Sequence, residues 1–174
     1  MKDDKHFHVC RAIGRGFTSE EYWEVTSKLS HSTVIHSCRG FDFNFWDTCL
    51  NPEIVVDFQK GDYFFRVSIC QSDNMRWSAG YDYWFSNGGG CGGPSYVSSS
   101  DGYSSRKECI YDTLRKLSFN LERSIEAVLT ETDADSYDDG PGNKNQRLMR
   151  LRGCRKEMDK YLDLYNPDQL VLFD

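Results

Sequence analysis

The chain has 174 residues, 39 % of them apolar and 14 % aromatic, which suits one ordinary domain with a true core. No stretch approaches the roughly 20 apolar residues of a membrane span, and no apolar run follows Met1-Lys2-Asp3-Asp4-Lys5-His6, so neither a transmembrane helix nor a signal peptide is expected. The net charge of −6 is unevenly placed, because Lys144 to Lys160 carries seven Lys or Arg against two acids and leaves the rest near −11.

Residues 6–13 read as a short strand. Thr18 and Glu21 stand at capping-box spacing and open a helix with Tyr22, Val25 and Leu29 on one face, ending near Ser30. Residues 33 to 85 read as strands. Phe41, Phe43 and Phe45 alternate with Asp42, Asn44 and Trp46, Glu53 to Phe58 is β-branched and apolar, and Tyr63, Phe65, Val67 and Ile69 alternate again. Trp77, Ala79, Tyr81, Tyr83 and Phe85 repeat the pattern. The turns at Lys60-Gly61-Asp62 and Ser72-Asp73-Asn74 are short, which predicts an antiparallel meander.

Ser86 to Gly102 reads as a loop, with five glycines between Gly88 and Gly93. Ser105 and Glu108 then form a second capping box. The following helix lines up Ile110, Leu114, Leu117, Leu121, Ile125 and Val128 on one face. Residues 131–142 are an acidic, Gly- and Pro-containing linker. A basic helix spans residues 143–165, with Leu151, Cys154, Met158, Tyr161, Leu162 and Tyr165 together, and Asn166-Pro167 stops it. The expected division is an α+β domain at 1–130, the linker, the basic helix and a tail at 166–174.

Several residue sets invite a chemical reading. Gly88-x-Gly90-x-x-Gly93 has the spelling of a dinucleotide loop, but a phosphate-binding loop opens straight into a helix. Here Pro94 and a serine-rich stretch intervene, so a connection is the expectation. His6, His8 and Cys10 alternate, as do His36 and Cys38, and imidazole and thiolate ligands hold zinc. None of the seven cysteines forms a Cys-x-x-Cys pair, so neither a metal nor any other cofactor is expected, and the odd number points to free thiols in a reducing cytoplasm. Arg147, Arg150, Arg155 and Lys156 on the basic helix, with Arg106 and Lys107 at the start of the preceding one, are candidate phosphate contacts. With Arg152 and Lys160 added, the basic residues of this helix spread around its polar side rather than form one stripe, which favours a solvated surface.

The tail is the most specific signal. Gln169-Leu170-Val171-Leu172-Phe173 resembles the pentapeptide by which bacterial polymerases, repair proteins and some phage and plasmid proteins dock on the replicative sliding clamp. That motif reads Gln-Leu, Ser or Asp, Leu-Phe, and only Val171 departs from it. Four specified residues arise by chance on the order of once in ten thousand at average usage. The resemblance implies a partner-binding role for Gln169, Leu170, Leu172 and Phe173: Leu172 and Phe173 in an apolar pocket, Leu170 beside it, and Gln169 in directional hydrogen bonds. The competing reading is a last strand or an apolar tail over the core.

Asp101 to Glu108 leading into a helix loosely resembles the last helix start of double-stranded RNA-binding domains, with Arg106 and Lys107 at the phosphate-contacting positions, and HicB-like antitoxin domains share a similar order of elements. The expected fold is α+β: an antiparallel meander of four to six strands with two or three helices mainly on one face. The expected function is a non-enzymatic accessory protein of bacterial or phage DNA metabolism, recruited to the sliding clamp by its tail. The alternatives are an acidic inhibitor of a host defence nuclease acting through Glu131, Asp133, Asp135, Asp138 and Asp139, and a small Cys/His-dependent enzyme using Cys10 or Cys38.

Overall fold

In the computed structural model, residues 23, 24, 26–86, 88–97, 100–131 and 143–169 are described. The strand expected at 6–13, the capping box at Thr18 and Glu21, and residues 132–142 of the linker lie outside them. Of the first expected helix, Trp23, Glu24 and Thr26 are helical, and Ser27 N donates to Trp23 O at 2.9 Å.

Six strands follow: β1 (His36–Cys38), β2 (Phe41–Phe43), β3 (Glu53–Lys60), β4 (Tyr63–Gln71), β5 (Trp77–Phe85) and β6 (Gly88–Gly92). Two helices complete the described chain, α1 (Arg106–Thr130) and α2 (Lys144–Tyr165). The fold is α+β. β3 to β6 form one antiparallel sheet in the order β3-β4-β5-β6, and β1 and β2 form a separate hairpin.

Turn chemistry explains the meander. Lys60 pairs with Tyr63, so β3 and β4 are joined by two residues, and Gly61 takes φ +64°, which glycine adopts without a Cβ clash. The β1–β2 turn places Arg39 at φ +51° and Gly40 at φ +84°, the left-handed pair that a tight hairpin demands.

Side chains on successive strand residues point to opposite faces. Tyr63, Phe65, Val67 and Ile69 of β4 are buried on one face against Ile110, Leu114, Leu117 and Leu121 of α1 and Leu151, Cys154 and Met158 of α2. At the far end of β4, Ile69 and Cys70 are both fully buried although they point opposite ways. The other face is covered there by the β1–β2 hairpin, whose Phe43 packs with Cys49 and Cys70, flanked by Cys38, Phe41 and Tyr96. Asn44 holds this region together: its amide donates to His31 O at 2.8 Å and its carbonyl accepts from Trp46 N and Thr48 N.

The capping box expected at the start of α1 is present in its main contact, with Ser105 Oγ accepting from Glu108 N at 3.4 Å. The apolar face of α1 is buried as its spacing predicts, with Ile125 partly exposed. On α2, Asn143 caps by accepting from Gln146 N at 3.0 Å, and Leu148 joins the buried face.

One expectation is corrected. Gly88 to Gly92 is not part of a loop but a strand, paired in unbroken register with β5 from Phe85↔Gly88 to Tyr81↔Gly92. Glycine weakens a strand because it has no side chain to pack. Here the packing comes from the neighbour. A Cβ on Gly89 would stand 2.5 Å from the Trp84 indole, and one on Gly90 would stand 3.0 Å from the Tyr83 ring. These rings lie over β6 on its two faces, the arrangement known as aromatic rescue of edge glycines.

Candidate functional site

Residues 166–169 follow the end of α2. Tyr165 Oη donates to Val55 O on β3 at 3.5 Å, which sets the helix end beside that strand. Asn166 then closes the helix, with its N–H on Asp163 O at 3.3 Å. Its own Oδ1 accepts from Asp168 N at 3.0 Å, and its carbonyl accepts from Gln169 N at 3.2 Å. The result is a turn through Pro167 that leaves Gln169 exposed. Leu170, Leu172 and Phe173 lie outside the described residues.

The six candidate phosphate contacts are not brought together as one patch. Arg147 forms a two-pronged pair with the Glu131 carboxylate between the helices, with both side chains under one fifth exposed. Lys144 Nζ closes the same junction by donating to the carbonyls of Leu129 and Glu131, both at 2.9 Å. Arg155 bridges to Glu122 of α1 and to Asp159 one turn along α2. Arg150 reaches Asp62 at 3.9 Å and lies over the Tyr63 ring. Arg106 pairs with Glu53 of β3 at 2.5 Å and lies 6.0 Å from the centre of the Trp77 ring. The guanidinium ions of Arg147 and Arg155 are held above their ordinary pKa by the carboxylates that accept from them. Lys107 and Lys156 make no ion pair among the described residues, and Lys156 is exposed. Glu131, the first residue of the acidic segment, is thus part of the clasp between α1 and α2; Asp133, Asp135, Asp138 and Asp139 lie outside the described residues.

His36 and Cys38 sit on β1. The His36 ring stacks on Phe43 and meets Tyr96 edge-on, with centroids 6.2 and 6.0 Å away. Burial lowers its pKa below the usual imidazole value, with the Asp73 carboxylate pulling the other way. The Cys38 thiol donates to Gln71 O at 3.8 Å, and burial raises its pKa. No group of three or more His, Cys, Asp or Glu among the described residues could hold a metal. His6, His8 and Cys10 lie outside them.

The other thiols are mostly set as core. Burial pushes Cys109 up to about 12 and Cys154 up to about 11. Cys70 is driven up further by its interaction with Cys49 and by burial, and the same interaction draws Cys49 down. Cys91 alone among the described cysteines is exposed.

Two features escaped the sequence reading. The first is the aromatic cluster of His36, Phe43 and Tyr96, which joins residues more than fifty positions apart. The second is a cleft of about 250 Å³ between β6 and α1, lined by Tyr83, Gly88, Gly89, Asn120, Arg123, Ser124 and Ala127. The recurrence of Asn120, Arg123, Ser124 and Ala127 at helical spacing was the available signal, but nothing local says that a sheet edge faces them.

No helix among the described residues is long and apolar enough to cross a membrane. Comparison with family models, curated proteins and solved structures finds no match for this chain.

Proposed function

We propose that the protein is a non-enzymatic binding protein of bacterial or phage DNA metabolism, recruited to the replicative sliding clamp by Gln169 to Phe173. The observation that carries this reading is the pentapeptide itself, following a helix that is stopped by Asn166-Pro167 and a turn that leaves Gln169 exposed. A short peptide binds well through a few anchors when its root is displayed outside the core. The described cysteines are free thiols, which suits a reducing bacterial cytoplasm. Arg106, Arg147 and Arg155 already hold carboxylates, so any nucleic-acid contact of the body falls first to Lys107 and Lys156.

The test is binding of the purified protein to a purified bacterial sliding clamp, alongside a Leu172→Ala/Phe173→Ala variant. Micromolar or tighter binding, on the order of −8 kcal/mol, that the variant loses supports the reading. An intact protein that does not bind sinks it.

A further inference from the structure

We infer that the outer edge of β6, together with the cleft beneath it, is a docking site for an extended acidic segment of a protein partner, which adds to the sheet as a fifth strand. The inference is independent of the tail.

A sheet edge offers a row of unpaired N–H and C=O groups, and proteins usually blunt it with Lys, Pro, a bulge or a cover. Among the described residues, Gly88 to Gly92 shows none of these devices; the pairing of Ser95 with Thr48 begins only beyond it. It contains four glycines and Cys91, its register with β5 is unbroken, and no strand among the described residues pairs with its outer side. Within β6 itself only Cys91 carries a side chain.

The surroundings define what would fit. On the sheet face away from the helices, Trp84 lies across Gly89 and is 44 % exposed, so it offers an apolar wall. On the helix face the cleft presents Tyr83, Asn120, Arg123 and Ser124. Arg123 is exposed, and its guanidinium lies 6.0 Å from the centre of the Phe119 ring. Among the described residues it meets no carboxylate, unlike Arg106, Arg147 and Arg155. Arg115 and Lys116 stand exposed on the same helix, both about two turns before it, also without an ion pair among the described residues.

An added strand turns alternate side chains to opposite faces. A segment matched to this edge therefore carries carboxylates toward Arg123 and apolar side chains toward Trp84. Main-chain hydrogen bonds would supply affinity, and the charge would select the partner.

The experiment uses the full chain, ¹⁵N-labelled, with two capped peptides: Asp-Val-Glu-Val-Asp and Lys-Val-Lys-Val-Lys. The acidic peptide is expected to slow amide exchange within Gly88 to Gly92 and to shift the Arg123 and Trp84 side-chain signals, and the basic peptide to do neither. Arg123→Glu is a surface change that leaves the core intact, and it should weaken binding roughly tenfold or more. The inference is overturned if the two peptides bind alike, if Arg123→Glu binds as the wild type does, or if the acidic peptide leaves the β6 amides unprotected. It is also overturned if those amides are protected without peptide in a concentration-dependent dimer, which would assign the edge to a second copy of the chain.

Discussion

β4 and β6 belong to one sheet and are built on opposite plans. β4 carries its own packing: Phe65 and Val67 have no exposed surface, and Phe65 contacts the rings of Phe58, Phe85 and Tyr161. β6 carries almost none, and borrows rings from β5 through a register that sets Trp84 beside Gly89 and Tyr83 beside Gly90. A central strand is thus specified by its own side chains, and this edge strand by those of its neighbour. The price of the second plan is an edge that, among the described residues, no strand pairs, and that edge is the one we infer a partner uses.

The largest test of this contrast is at the centre. Phe65→Ala removes a ring with no exposed surface and leaves a cavity between β4 and the helices. It should cost about 3–5 kcal/mol of unfolding free energy in urea titrations. A loss under 1 kcal/mol, the order expected of a surface site, would mean that β4 is not the centre of the core.

At the edge, position matters more than residue type. Gly89→Ala drives a methyl group to within 2.6 Å of both the Trp84 ring and the Tyr83 carbonyl, and should cost about 1–3 kcal/mol. Gly88→Ala meets nothing within 4 Å and should stay within about 0.5 kcal/mol of wild type. Equal effects at the two positions would break the account of β6 as a strand packed by its neighbour's rings. The same denaturation measurement reads both variants.

The smallest effect is expected on the other face of β4, where the β1–β2 hairpin sits. Burial holds His36 below the ordinary histidine pKa of 6.5, against the opposing pull of Asp73. As pH falls, the unfolded chain takes up the His36 proton first, so stability is full above pH 6.5 and declines as pH drops from there toward the lowered folded value. His36→Gln should flatten that part of the stability–pH curve. An unchanged slope would show that His36 titrates freely in the folded protein.

The tail and the basic helix show how unevenly a site is legible. Gln169 to Phe173, which we propose docks on the sliding clamp, is a local word, because a short docking peptide carries its anchors in adjacent residues. The basic residues are not local in that sense. Arg106 finds Glu53 across 53 positions and Arg155 finds Glu122 across 33, and no spacing rule reveals such partners. Charge counting marked a cationic helix; the packing of α2 on α1 and the sheet turned much of that charge inward to carboxylates.

What the sequence determined by itself was whatever depends on near neighbours. The Ser105 cap and the period of Ile110, Leu114, Leu117 and Leu121 define α1, because backbone capping and one helical face are settled within a few turns. Gly61 at a two-residue turn and the alternation from Tyr63 to Ile69 define the β3–β4 hairpin for the same reason. The tertiary structure alone decided that a run of glycines is a strand, that Cys70 is covered by a separate hairpin, and that Arg147 belongs to Glu131. Each of these rests on side chains brought from distant parts of the chain, and glycine, having none of its own, takes its structure from the rings that lie on it.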